Sequence, residues 1–381
     1  MSRHLHFPSS TILAPDAGKE KRAAARFAKR PNDKEKRRSS DDRKPAGSCI
    51  RRAAHRAGLS RMRRNDHDVT DQIRTTDADA VASEILRLYR DRYPTASSRA
   101  IEVAFGDALQ MYDGAHPDFH ACDTEYHDLQ HVLDVTLAMA RLMNGYERSR
   151  RNGAPMLPAK LFTDGIIAAL LHDVGYLRHR RDDRRHYGSE YTLTHVSRGT
   201  GVLGHYLESR GLSEYAEEIA ELLHFTGYER PIATIHVSHP LLRQLGRMLG
   251  SADIIAQMSD RCYLEKCRDR LYPEFLLGGL ARKMLPDGRV EVVFSSGDDL
   301  VRKTPGFFTN AMRRLDRDLQ GAYDYAAAHF DGQNYYIDEM QKNVAYAAAY
   351  DAARDDRMLR RAPPTTLRPD VKPYPDDLVI W

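Results

Sequence analysis

Residues 163–176, TDGIIAALLHDVGY, are apolar on nearly every side until they close on His172 and Asp173. A helix without a polar face has to lie at the centre of a domain, with other elements packed all round it. Gly175 stands where a C-cap is expected. A carboxylate beside a histidine after such a run is costly to bury unless something compensates it. A metal cation would satisfy both side chains together. A hydrogen-bonded His–Asp pair at a surface helix end would satisfy them equally, and these residues alone do not separate the two readings.

The rest of the chain supplies helices to surround that segment. ADAVASEILRLYRDRY carries Val81, Ile85, Leu86 and Tyr89 on one stripe, with Pro94 as a stop. SSRAIEVAFGDALQMY opens on a serine cap, and HDLQHVLDVTLAMARLM (127–143) reads as a third helix ended by the polar loop ERSRRNGAPMLP. Further helices are expected over 189–209, 213–224, 240–271 and 307–352. GRVEVVFSS (288–296), after the turn PDG, reads as part of a small hairpin. The five prolines beyond Arg361 make 361–381 an extended tail. The expectation is one all-α domain over 77–352.

A formal net charge of +4 conceals an asymmetry. Residues 1–70 hold 19 Lys/Arg against 8 Asp/Glu, while the remainder holds 39 against 46. The first 70 residues are also poor in large apolar side chains, so a disordered basic extension is expected there. Its plainer reading is a solvated segment; an arm for nucleic acid or acidic lipid is the functional alternative. No apolar run reaches the roughly 18 residues of a membrane span, and the N-terminus lacks the apolar core of a secretory signal. Cys49, Cys122, Cys262 and Cys267 form no C-x-x-C pair, which suits reduced thiols in a cytoplasmic protein.

Other residues repeat the anomaly of the His–Asp pair. His131 lies upstream on its own helix, His195 falls in LTHVSRGTG, and His224 in AELLHFTGYE. Asp253, in LGSADIIAQM, is a second carboxylate set in an apolar helix. The order His131, His172–Asp173, Asp253 resembles the signature of the HD superfamily of metal-dependent phosphohydrolases. YHDLQHVLDV (126–135) is similar to the Y-H-N-x-x-H-x-x-D-V element of its cyclic nucleotide phosphodiesterase branch. The resemblance covers roughly 120–260 and extends to 77–350 as a helical domain.

That resemblance implies a helical bundle with a metal site at its centre, holding one or two divalent ions (Mn, Fe, Zn, Mg or Ni). It implies His131, His172, Asp173 and Asp253 as ligands of the first ion, with Asp173 also catalytic as the bridge to a second. It implies His127 as the acid that protonates the leaving oxygen. His195 and His224 match histidines that complete a two-metal site in other branches and stand further out in the cyclic nucleotide branch. A phosphodiester, a cyclic nucleotide among the candidates, is the implied substrate, with nucleotide or dinucleotide phosphohydrolysis on the same site as the alternative and a non-catalytic regulatory module as a third. Asp128 replaces the branch's Asn, and Leu177 falls where a second histidine is expected after the His–Asp pair, so specificity stays open while the metal chemistry is intact.

On a regular helix His127 and His131 would share one face, with Cβ atoms about 5–6 Å apart. One could bind metal while the other reached the leaving group, with Asp128 or Asp134 orienting an imidazole. The run RHRRDDRRH (178–186) is either a phosphate-attracting rim or a solvated loop.

Overall fold

A computed structural model describes residues 63–378, apart from 151–152, 213 and 286. The expected basic extension therefore lies outside the described residues as far as residue 62. Residues 63–70, expected to belong to it, are instead packed. Asp68 is buried and accepts from Arg141 Nη2 at 2.6 Å, while Arg63 donates to Ser259 O at 2.6 Å.

The described chain is helical almost throughout. Helix α1 (Ala78–Arg92) starts on Asp77, whose carboxylate accepts from Asp79 N and Ala80 N, and it ends before Pro94. It buries Val81, Ile85, Leu88 and Tyr89, so Leu88 takes the core position expected for Leu86. Helix α2 (Arg99–Asp113) follows Ser98, whose hydroxyl bonds Glu102 rather than a backbone amide, and it stops at Gly114 in the left-handed region. Helix α3 (Leu129–Ser149) is the long element around which the others assemble.

Helix α4 (Ala159–Leu170) is the central helix that its composition requires, with every residue from Leu161 to Leu170 buried. Its start at Pro158 has no side-chain cap. Packing holds it, since full burial of a side chain such as Ile166 or Ile167 contributes roughly 1.5–3 kcal/mol. It stops at Leu170, five residues short of Gly175, because Val174–Tyr176 winds into a separate 3-10 turn.

The expected 189–209 helix divides into a 3-10 turn at Gly188–Tyr191 and helix α5 (His195–Ser209). The next is α6 (Ala216–Glu221), continued by a 3-10 turn at Leu222–Phe225. The 240–271 segment breaks at Asp260, where the backbone extends and the carboxylate accepts from Cys262 N. It yields α7 (Pro240–Ser259), α8 (Tyr263–Lys266), a π-helical turn at Cys267–Leu271, and α9 (Tyr272–Leu277).

The expected hairpin is present as β1 (Arg282–Met284) antiparallel to β2 (Val290–Val292). Helices α10 (Gly297–Arg302) and α11 (Thr304–Arg313) then lead into a second π-helical turn at Arg314–Asp318. Left-handed residues at Gln320, Gly321, Asp331 and Gly332 separate α12 (Tyr325–His329) from α11 and from α13 (Tyr335–Ala353), so 307–352 is not one helix. Helix α3 packs against α4, α7 and α12. It meets α12 so closely that a Cβ on Gly145 would lie 1.8 Å from Tyr325 O. Among the described residues, no helix is long and apolar enough to cross a membrane.

Candidate metal centre

Three elements bring their chemistry to one point beside α4. The carboxylate of Asp128, the N-cap of α3, accepts from His131 N at 3.0 Å and places His131 in the first turn. The chain leaving α4 presents His172 and Asp173 just past the helix end. Helix α7, packed against α3, contributes Asp253 from its middle.

His131 Nε2 and His172 Nε2 each lie 3.2 Å from Asp173 Oδ2 and 3.3 Å from one another. Asp253 Oδ1 is 3.4 Å from His131 Nε2. His172 Nδ1 must carry the proton, because it lies 2.8 Å from Ala169 O, which can only accept; the Nε2 lone pair therefore faces the centre.

His131, His172 and Asp173 are all buried and form a group that could hold a metal ion. The donor set fits one. Asp173 Oδ2 is buried without a hydrogen-bond partner, a costly state for a carboxylate oxygen that a cation would relieve. Burial opposes the charged form of His131, but with no ion between them Asp173 and Asp253 outweigh it and raise its pKa to about 10; a cation would take the place of that proton. Burial likewise pushes the Asp173 carboxyl up, and His172 and His131 bring it well below the usual range.

The surrounding shell fixes these groups. Gln257 Nε2 donates to Asp253 Oδ1 at 3.1 Å and its Oε1 accepts from the Tyr126 hydroxyl at 3.1 Å, so the aromatic residue before His127 reaches the far carboxylate through one amide. His195 lies on the other side of Asp173, with Nε2 at 3.7 Å from Oδ1 and Nδ1–H donating to Thr192 O at 2.7 Å. His224 is buried, and its Nδ1 lies 2.9 Å from Glu229 Oε1. Burial raises the Glu229 carboxyl, but His224 and, more weakly, His195 bring it below its ordinary range. Imidazole next to Asp173 thus comes from His131, His172 and His195, whereas His224 stands with Glu229.

The helical spacing expected for His127 and His131 does not occur. His127 precedes the N-cap, so it sits in the turn before α3, with its ring perpendicular to that of His131 at 5.8 Å. Its Nδ1 lies 2.5 Å from Glu274 Oε2, and the other oxygen of Glu274 accepts from Tyr126 N at 2.7 Å. Glu274 is fully buried. Tyr176 stacks on both His127 and His195 at 4.3 Å. Asp128 holds no imidazole, since Oδ1 caps His131 and Oδ2 accepts from Thr366. The orienting carboxylate is Glu274, from α9.

Neither Glu274 nor Glu229 was singled out by sequence reasoning. Glu274 carries the signal that marked Asp173 and Asp253, an acid inside an apolar stretch (YPEFLL), while Glu229 lies in a polar loop that offers no such contrast. In the basic run, Arg178 pairs with buried Asp123 at 2.8 Å, Arg184 with Asp182 at 2.8 Å, and Arg180 donates to Gly114 O. These cations serve the fold of the loop.

Gly175 has a different role from the expected cap. Its turn lies directly on the start of α5, and a Cβ there would stand 1.8 Å from His195 O. Gly175→Ala is expected to cost about 3 kcal/mol, the upper end for overpacking, because the obstacle is backbone that cannot rotate away. A thermal unfolding midpoint equal to that of the unsubstituted protein would contradict this packing.

Comparison of the chain with protein-family models, with curated proteins and with solved structures finds no match.

Proposed function

We propose that this protein is a metal-dependent phosphohydrolase that cleaves a phosphodiester of the nucleotide class, a cyclic nucleotide among the candidates. The observation that carries this reading is the buried, unpartnered Asp173 Oδ2 between two imidazole nitrogens, with a His–Glu pair at its edge. A divalent cation at this point supplies Lewis acidity, which lowers the pKa of water and offsets charge on the phosphoryl oxygens. His131, His172, Asp173 and Asp253 would hold it, and His195, which faces the second oxygen of Asp173, would help hold a further ion. Mixed imidazole and carboxylate donors suit Mn, Fe, Zn or Ni without selecting one firmly.

The remaining groups manage a proton. Glu274 fixes the Nδ1–H of His127 and so orients the ring, leaving Nε2 to deliver a proton to the departing alkoxide. Stacking on Tyr176 restricts the ring's rotation. Tyr126 and Gln257 keep Asp253 from turning away.

Metal analysis of the purified protein is the first test, followed by assay of the metal-loaded protein on cyclic nucleotides, generic phosphodiesters, phosphomonoesters and dinucleoside polyphosphates. One or two bound divalent ions per chain and hydrolysis of a diester are expected. A metal-loaded protein inert toward all four classes would rule the proposal out, and exclusive action on dinucleoside polyphosphates would move the substrate to that class.

A further inference from the structure

Beyond α13 the chain reverses at Arg354, in the left-handed region, and runs from Leu359 to Leu378 across the domain without a further helix. It holds five prolines and two turns, at Arg368–Val371 and Pro375–Leu378, and it is tied down along its length. Arg268 Nη1 donates to Leu359 O at 3.4 Å, and Glu265 Oε1 accepts from Arg361 N at 3.1 Å. Arg270 Nη2 donates to Pro363 O and Pro364 O, both at 2.9 Å. Thr366 Oγ1 donates to Asp128 Oδ2 at 2.8 Å, and the Tyr374 hydroxyl bonds the Glu125 carboxylate.

Three of these attachments, through Thr366, Tyr374 and Arg270, meet at one short stretch, the turn Glu125–Asp128 that carries His127. Asp128 is fully buried, and its two oxygens join the tail to the active turn: one takes the Thr366 hydroxyl, the other caps the His131 amide. Arg270 joins them a second time, because the guanidinium that grips the two proline carbonyls also donates to Glu125 O at 3.4 Å. Four residues on, Glu274 holds His127 itself.

We infer that the segment Leu359–Leu378 is a strap that positions the proton donor, with Thr366 and Arg270 as positioning residues for His127; this rests on the phosphohydrolase reading above. Without the Thr366 hydroxyl, a buried carboxylate oxygen loses its donor and Asp128 has reason to turn toward water. The backbone of Asp128 continues directly into His127, so the imidazole moves with it. The strap contributes none of the residues grouped at the metal centre, so metal binding is expected to survive its loosening.

The test uses the full chain with Thr366→Val, Thr366→Ser and Arg270→Met. Bound metal, kcat and KM on the best ester, and amide hydrogen exchange over residues 124–131 are measured for each. Since a misplacement of about 1 Å can cost up to about 10² in rate, Thr366→Val is expected to lower kcat about tenfold, with KM and bound metal retained. Thr366→Ser restores the wild-type rate, and exchange over 124–131 quickens in Thr366→Val and Arg270→Met only. A wild-type kcat in Thr366→Val, or unchanged exchange in that stretch, overturns the inference. If the unsubstituted protein hydrolyses no ester, the functional reading fails separately, and the exchange data still decide whether the strap holds the turn.

Discussion

Asp173→Ala is expected to empty the metal centre and abolish hydrolysis together. Oδ2 of this residue meets His131 and His172, and Oδ1 lies toward His195, so one substitution withdraws the group that all three imidazoles face. Disturbing an outer partner of a metal site already costs about 10–100-fold in affinity or activity, and a residue at the meeting point should exceed that. The loss should show as absent metal by elemental analysis and absent phosphate release, with the helical signal by circular dichroism retained. Retention of a full complement of metal in Asp173→Ala would remove the centre from this position.

His127→Ala is expected to separate what Asp173→Ala joins. The imidazole of His127 stands against Glu274 and Tyr176 and is not part of the group formed by His131, His172 and Asp173, so bound metal should be unaffected. A positioned general acid typically contributes about 10²–10⁴ in rate, and kcat should fall by that order. The loss should shrink for an ester whose leaving group departs without a proton, such as a nitrophenolate. Glu274→Gln should reproduce the effect in weaker form, since Glu274 accepts from both His127 Nδ1–H and Tyr126 N–H and an amide offers only one accepting atom. Loss of metal from His127→Ala would mean that the imidazole is a ligand and that the proton comes from elsewhere.

Patterning that reports burial was legible in the sequence. Helix α4 reads as a central element because no face of TDGIIAALL is polar, and it is buried throughout. His131, His172, Asp173 and Asp253 stood out because polar groups in apolar helices need a reason to be there, and the fold brings them within reach of one another. The turn before α3 was not legible. A helix starting at residue 127 and one starting at 129 have the same apolar periodicity, and only the capping bond from Asp128 fixes the difference. Long helices were likewise expected where left-handed residues such as Gln320 and Asp331 interrupt the chain, because neither residue type announces that geometry. Glu274 lies 147 residues from its partner, a contact that no local pattern encodes.

The π-helical turns have a consequence for what the chain can lose. At Cys267–Leu271 the Tyr272 amide bonds Cys267 O, and at Arg314–Asp318 the Leu319 amide bonds Arg314 O, so each turn holds one residue more than a regular helix would. Each residue advances a helix by about 100°, so that surplus residue sets the phase of everything after it. Glu274 lies just beyond the first turn and reaches His127; Arg314 opens the second and donates to Phe225 O and Gly227 O, beside His224. Deleting a single residue from the first turn would restore ideal helix geometry and rotate Glu274 by about a quarter of a turn away from the imidazole it holds. The irregularity is a gearing between helix phase and the pairing of Glu274 with His127.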